Sequence, residues 1–219
     1  MLLLAADTSG KHGSIALARC GPGDECNPVE VVPLAGGTFS AQLVPQIAAL
    51  LAKHGFTKND IGGFAVASGP GSFTGLRVGL AAIKALAEVL GKPIARVSLL
   101  EAIASAAGER PVLAVLDAGR GEVYVGEYKG KRLGESGETL LTREEFLAAA
   151  KGQLVVTPDT ALAELARAAA RSTQIVPPLG SDTLACLGWK KIRAGETTSP
   201  EDLEANYIRR SDAEIFAKK

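Results

Sequence analysis

The chain has 219 residues, with 24 Lys and Arg against 24 Asp and Glu, 47% hydrophobic residues and 22% charged residues. This composition excludes a disordered protein and provides a core large enough for one large domain or two small lobes. Zero formal charge with only six Phe, three Tyr and one Trp argues against a protein that grips nucleic acid alone, because phosphate contacts need clustered cations and base stacking needs aromatic platforms.

The first residues read as strand, turn, strand. Residues 2–6 are an apolar run, Asp7-Thr8-Ser9-Gly10 supplies turn chemistry, and residues 14–18 form the hairpin partner. A third strand covers residues 29–34, with Pro33 marking an edge or an end. A helix over residues 41–54 follows, with Ser40 as N-cap, Phe39 stapled against Val44, and Gly55 as its stop. Leu43, Ile47, Leu50 and Leu51 form its apolar stripe. A strand at 61–68 leads through a glycine-rich loop into a helix at 76–90. Gly91 and Pro93 stop that helix before a strand at 94–97 and a helix ending near Gly108.

From Pro111 the pattern begins again. Residues 112–116 form a strand, 117–121 a turn and 122–128 an alternating strand with Val123 and Val125 on one face and Tyr124 and Tyr128 on the other. Thr142 and Glu145 form a capping box for a helix to about Lys151. A strand at 154–156, a helix at 160–171, a strand at 174–176 and a helix at 182–194 follow. The tail from Glu201 is charged, with Leu203, Tyr207, Ile208 and Ile215 as apolar anchors.

Cys20, Cys26 and Cys186 contain no C-x-x-C spacing and are odd in number, so a disulfide framework is not expected and a reducing, cytoplasmic setting fits. His12 and His54 have no metal-pair spacing. The start of the chain lacks a positively charged n-region. The uncharged stretch 31–52 is broken by Pro33, Pro45 and polar residues, so no membrane segment is expected.

The most informative pattern is an internal repeat. Asp7 and Asp117, 110 residues apart, each end an apolar strand and each precede a turn and a second strand. Two such halves imply an α/β fold of duplicated lobes, divided as 1–108, 109–200 and a tail at 201–219 that packs back on the first lobe. Asp7, Thr8, Asp117 and Gly119 are the candidate phosphate-turn residues. Two readings stay open for the aspartates: water-mediated Mg²⁺ binding, or hydrogen bonding within the turns themselves.

The loop Gly69-Pro70-Gly71-Ser72-Phe73-Thr74-Gly75, running on to Arg77, joins a strand to a helix, where backbone N–H groups could receive an anion. It is neither a P-loop nor a dinucleotide fingerprint. GPGSFTGLRVG, with LAADTS at the start, VSLLEAIA at 97–104, DAGRGEVY at 117–124 and NYIRR near the end, resembles the bacterial TsaB (YeaZ) family. That resemblance implies a ribonuclease-H-like, actin-like ATPase fold with a degenerate nucleotide cleft. It also implies a non-catalytic role in making threonylcarbamoyladenosine in tRNA. The implied partners are a TsaD-like catalytic subunit and a TsaE-like P-loop ATPase, with a homodimer when alone and tRNA met only through the complex. No tightly bound cofactor and no metal are expected, with ATP or ADP confined to a partner interface. One departure is Phe39-Ser40, where relatives often carry His.

The helix at 76–90 is apolar on two stripes, so it is either central to the core or shared with a partner. The family resemblance favours sharing. Leu43, Ile47, Leu50, Val78, Ala81, Ala82, Ala85 and Val89 are the expected interface residues. The alternatives in other classes are an active ATP-dependent phosphotransferase and a metallopeptidase; the missing His pair speaks against the second.

Overall fold

The computed structural model describes residues 1–130 and 132–209. Arg210 and Ile215, singled out above, lie outside the described residues. The chain forms two compact units.

The first unit comprises Met1–Ser98 and Gly180–Asn206. Its strands are β1 (Leu2–Asp7), β2 (His12–Cys20), β3 (Cys26–Ala35), β4 (Ile61–Gly69) and β5 (Ile94–Ser98). They lie in the order β3-β2-β1-β4-β5. β1, β2 and β3 form an antiparallel meander, whereas β4 and β5 run parallel to β1. β1 is buried along its whole length, as expected for a central strand covered on both faces. Helices α1 (Phe39–Lys53) and α2 (Phe73–Leu90) cover one face, joined to it by a core containing Leu4, Ile15, Leu43, Phe64, Leu76 and Ile83. Helix α6 (Ser181–Arg193) covers the other. Gly188 allows this approach, since a Cβ there would stand 2.4 Å from that of Ala65. Ser181 pins the start of α6, donating from its hydroxyl to the Ser14 carbonyl at 2.7 Å and from its N–H to the Ser14 hydroxyl at 3.0 Å.

The second unit comprises Leu99–Leu179 and the described residues from Tyr207. Its strands are β6 (Pro111–Gly119), β7 (Glu122–Lys129), β8 (Arg132–Thr142), β9 (Leu154–Thr157) and β10 (Ser172–Ile175), ordered β10-β9-β6-β7-β8. The pattern repeats that of the first sheet: three antiparallel strands, then two parallel to the first of them. Helix α3 (Leu99–Ser105) covers one face through Leu100, Ile103, Tyr124 and Tyr128. Helices α4 (Arg143–Ala149) and α5 (Thr160–Ala168) serve the other face through Val123, Val125, Phe146 and Leu162. The alternation expected along β7 is therefore the one found. The Thr142 capping box is present too, with Thr142 accepting from the Glu145 N–H at 3.2 Å and Glu145 accepting from the Thr142 N–H at 2.8 Å.

Some expectations differ from the structure. β8 has no counterpart in the sequence reading, because Gly130, Gly134 and Gly137 with interspersed Glu obscure its alternation. The first unit closes at Ser98 rather than at residue 108, and the segment from Gly180 returns to it. α1 begins at Phe39 with Thr38 at the cap position and no side-chain capping bond, so Ser40 lies inside the helix. Phe39 is buried under Gly13 while Val44 is 54% exposed, so the two do not form a staple.

Candidate functional site

The first Asp turn is closed by its own unit. Asp7 is buried, and its carboxylate accepts the Ser9 N–H at 2.8 Å. Burial raises the Asp7 pKa above the usual carboxylate range, against the lowering effect of the hydrogen bonds from Ser9. Thr8 is also buried and donates its hydroxyl to the Gly75 carbonyl at 2.7 Å. The Ser9 carbonyl accepts the Ser72 N–H at 2.6 Å.

These contacts explain the glycines of the 69–75 loop. A Cβ at Gly75 would stand 2.0 Å from the Thr8 carbonyl oxygen, one at Gly79 would stand 2.4 Å from the Thr8 hydroxyl, and one at Gly71 would stand 2.5 Å from the Ser9 carbonyl oxygen. Only glycine lets the loop and the first two turns of α2 approach this closely. Ser72 caps α2 by accepting the Gly75 N–H at 3.2 Å, Arg77 stacks over the Phe73 ring at 3.7 Å, and Gly69 and Pro70 are buried while Thr74 is exposed. The Ser72 N–H is thus taken by the Ser9 carbonyl and the Gly75 N–H by the Ser72 hydroxyl, two donors that an anion could otherwise have met.

The second Asp turn is built differently. Asp117 is exposed, and Gly119, Arg120 and Gly121 all have positive φ, at 71°, 56° and 81°. A Cβ at Gly119 or Gly121 would meet nothing within 4 Å. Arg209 reaches over this turn, donating to the Ala118 carbonyl at 2.9 Å and to the Gly119 carbonyl at 3.4 Å while pairing with Glu122. A cavity of about 270 Å³ lies beside the turn, lined by Asp117, Arg143, Asp159, Ala161, Leu162 and Leu165.

The donor set of the first turn does not fit a nucleotide phosphate or its metal. The Ser9 N–H and the Thr8 hydroxyl already have partners inside the unit, and the carboxyl they surround is one that burial drives toward its neutral form. Among the described residues no group of three or more His, Cys, Asp or Glu side chains is arranged to hold a metal ion. No described helix is long and apolar enough to cross a membrane.

The expected interface residues divide into two sets. Leu43, Ile47 and Leu50 are buried in the core of the first unit. Burial of each is worth about 1.5–3 kcal/mol, so they hold α1 to its sheet and cannot serve a partner; that expectation is corrected. Val78 and Ala82 are half-buried, whereas Ala81, Ala85 and Val89 are exposed, Val89 to 74%. Val44, on α1, which packs against α2, is another exposed apolar side chain. Its position opposite the buried stripe could have revealed it. The Arg209 contact with Glu122 joins residues 87 positions apart, and no local pattern signals it.

Two units of the same topology, each with an Asp at the end of its first strand, define an α/β protein of the ribonuclease-H-like, actin-like ATPase fold. The family model described as "TsaD: tRNA N6-adenosine threonylcarbamoyltransferase" matches residues 31–215. The chain is 30% identical to the tRNA threonylcarbamoyladenosine biosynthesis protein TsaB of Escherichia coli K12, across 97% of this chain and 96% of that protein. It is 35% identical to the TsaB protein of Bacillus subtilis over 133 residues, which span 60% of this chain and 56% of the relative. The solved structure of YeaZ from Pseudomonas aeruginosa superposes with a TM-score of 0.72 at 25% identity, covering 94% of this chain and 99% of that one. The chain belongs to the family that this model describes and, within it, to TsaB (YeaZ).

Proposed function

We propose that this chain is a non-catalytic, activating subunit in the synthesis of threonylcarbamoyladenosine in tRNA, acting in the cytoplasm by pairing with a TsaD-like catalytic subunit. The role in that modification is supported by the similarity to the tRNA threonylcarbamoyladenosine biosynthesis proteins TsaB of Escherichia coli and Bacillus subtilis. The observation that carries the pairing is the exposed apolar band of α2, where Ala81, Ala85 and Val89 stand beside half-buried Val78 and Ala82, with Val44 on α1. Small residues allow close helix approach, and an exposed apolar band on a folded unit gains by being covered. The same band serves a homodimer when the partner is absent.

A scaffolding role also agrees with the chemistry of the first Asp turn, whose donors already have partners. The chain alone then binds no nucleotide tightly, and any ATP or ADP sits at the shared interface. A TsaE-like P-loop ATPase joins the pair. With a net charge of zero, the tRNA is held by the partners rather than by this chain.

The test is reconstitution with TsaD, TsaE, threonylcarbamoyl-adenylate and tRNA, with and without this chain, reading the modified nucleoside by mass spectrometry. Product should form only when the chain is present, and equal product without it overturns the reading. Val89→Arg, at an exposed site, should keep the chain folded while weakening co-purification with TsaD at least tenfold. Unchanged association would place the contact elsewhere.

A further inference from the structure

Three cysteines that are scattered in sequence meet in the first unit. Cys20 ends β2 and Cys26 begins β3, and the two are directly paired across the hairpin. Their Sγ atoms are in direct contact, 2.6 Å apart, with both thiols free. Cys186 on α6 donates its thiol to the Cys26 carbonyl at 3.3 Å, which brings it to the same residue of the hairpin. Cys20 is buried, whereas Cys26 and Cys186 are only half-buried, so the cluster reaches the surface. The hairpin tip between the first two is held to α6 by the Trp189 indole N–H, which donates to the Gly23 carbonyl at 3.1 Å, and by the Arg193–Asp24 pair, also at 3.1 Å.

We propose that this cluster is a reversible oxidation site for hydroperoxides, in which Cys20 and Cys26 form a disulfide and Cys186 is a third thiol able to replace Cys20. The Cys20 thiolate attacks a peroxide oxygen, the O–O bond breaks, and Cys20 becomes a sulfenic acid as the other oxygen leaves as water or an alcohol. The Cys26 sulfur then attacks the Cys20 sulfur, the S–O bond breaks, and water departs with the Cys26 proton. Two thiols lose two electrons, and the hydroperoxide is reduced by the same two. If Cys186 attacks the Cys26 sulfur, Cys20 leaves as a thiolate and the link passes to the hairpin and α6 without further redox change.

The protonation pattern suits this order of events. The hydrogen bond with Cys26 lowers the Cys20 pKa, against the effect of burial, so Cys20 is the thiol most ready to ionise. The bond with Cys186 lowers the Cys26 pKa, but the contact with Cys20 and burial outweigh it and push Cys26 up to about 12. Its hydrogen bond with Cys26 raises the Cys186 pKa, and burial adds to this.

The test treats the full-length chain with hydrogen peroxide, blocks free thiols with iodoacetamide, and weighs the tryptic fragments. Fragment 20–53 holds both Cys20 and Cys26, and fragment 172–190 holds Cys186. The first should emerge unalkylated and lighter by two hydrogens, the second alkylated, and dithiothreitol should restore both thiols of the first. In Cys20→Ser, with its fold checked by circular dichroism, Cys26 loses the Cys20 contact that raises its pKa and keeps the Cys186 effect that lowers it, so Cys26 should take the peroxide oxygen, Cys186 should displace water from it, and the two fragments should join. Three alkylated cysteines, oxidation that stops at sulfinic acid on Cys20, or links formed only between two copies would overturn the site. A Cys20→Ser chain whose fragments stay separate would remove Cys186 from it.

Discussion

The two Asp turns occupy equivalent places in two sheets of the same topology, yet they have opposite environments. The turn after β1 is sealed: Asp7, Thr8 and Ser9 are buried, and Gly71, Gly75 and Gly79 bring a loop and a helix against them. The turn after β6 is open: Asp117 is exposed, its glycines face empty space, and Arg209 holds two of its carbonyls. A shared topology thus fixes where an Asp turn stands but not what it can bind. What decides that is whether the next strand-to-helix loop comes close enough to use up the donors of the turn.

Breaking the sealed turn should have the largest effect. Gly75→Val forces a Cβ into the Thr8 carbonyl, where backbone meets backbone and neither side can yield cheaply. It should cost about 3 kcal/mol or more, seen as a lower midpoint in urea denaturation. Arg209→Ala, at the open turn, removes contacts that are partly exposed and should cost about 1 kcal/mol. Its clearer sign should be faster amide exchange at residues 119–122. Asp117→Asn alters an exposed group and should shift stability by less than about 0.5 kcal/mol; a larger loss would mean that the open turn is more constrained than its exposure indicates.

A pH series sharpens the comparison from another side. The folded pKa of Asp7 is raised by burial, so its contribution to stability is fully present below the unfolded pKa and is lost as pH rises through the folded one. Asp7→Asn removes that titration. The urea midpoint of the variant, followed from about pH 4 to about pH 7, should fall less steeply with rising pH than that of the unaltered chain. Equal slopes would show that Asp7 ionises as easily in the folded state as in the unfolded one.

Much of the fold was legible because its signals are local. The apolar run into Asp7, the alternation of β7, the Thr142 capping box and the Gly91 stop, with φ at 62°, all act within a few residues. The repeat of Asp7 and Asp117 was legible for the same reason, since each half carries its own copy. What escaped depends on distant partners. Leu43, Ile47 and Leu50 have the same apolar character whether they face a sheet or another protein, and only the sheet beneath α1 decides between the two. The three cysteines offered only an odd count, because a hairpin register and a helix that returns to the first sheet bring them together. The glycines of the 69–75 loop were conspicuous, but their reason, contact with Thr8 and Ser9, lies about sixty residues away.

The place of α6 has a consequence for how the chain is made. The sheet face of the first unit is covered by a helix that leaves the ribosome about eighty residues after β5, once all the strands of the second unit have emerged. The second unit has its sheet and helices within the stretch Leu99–Leu179 and lacks only the residues from Tyr207, while β1, β2, β4 and β5 wait with one side bare. Contacts that close over so long a span form slowly, and an uncovered apolar sheet face is prone to aggregation while it waits. Nascent chains stalled between residues 99 and 179 should therefore be the forms most in need of a chaperone.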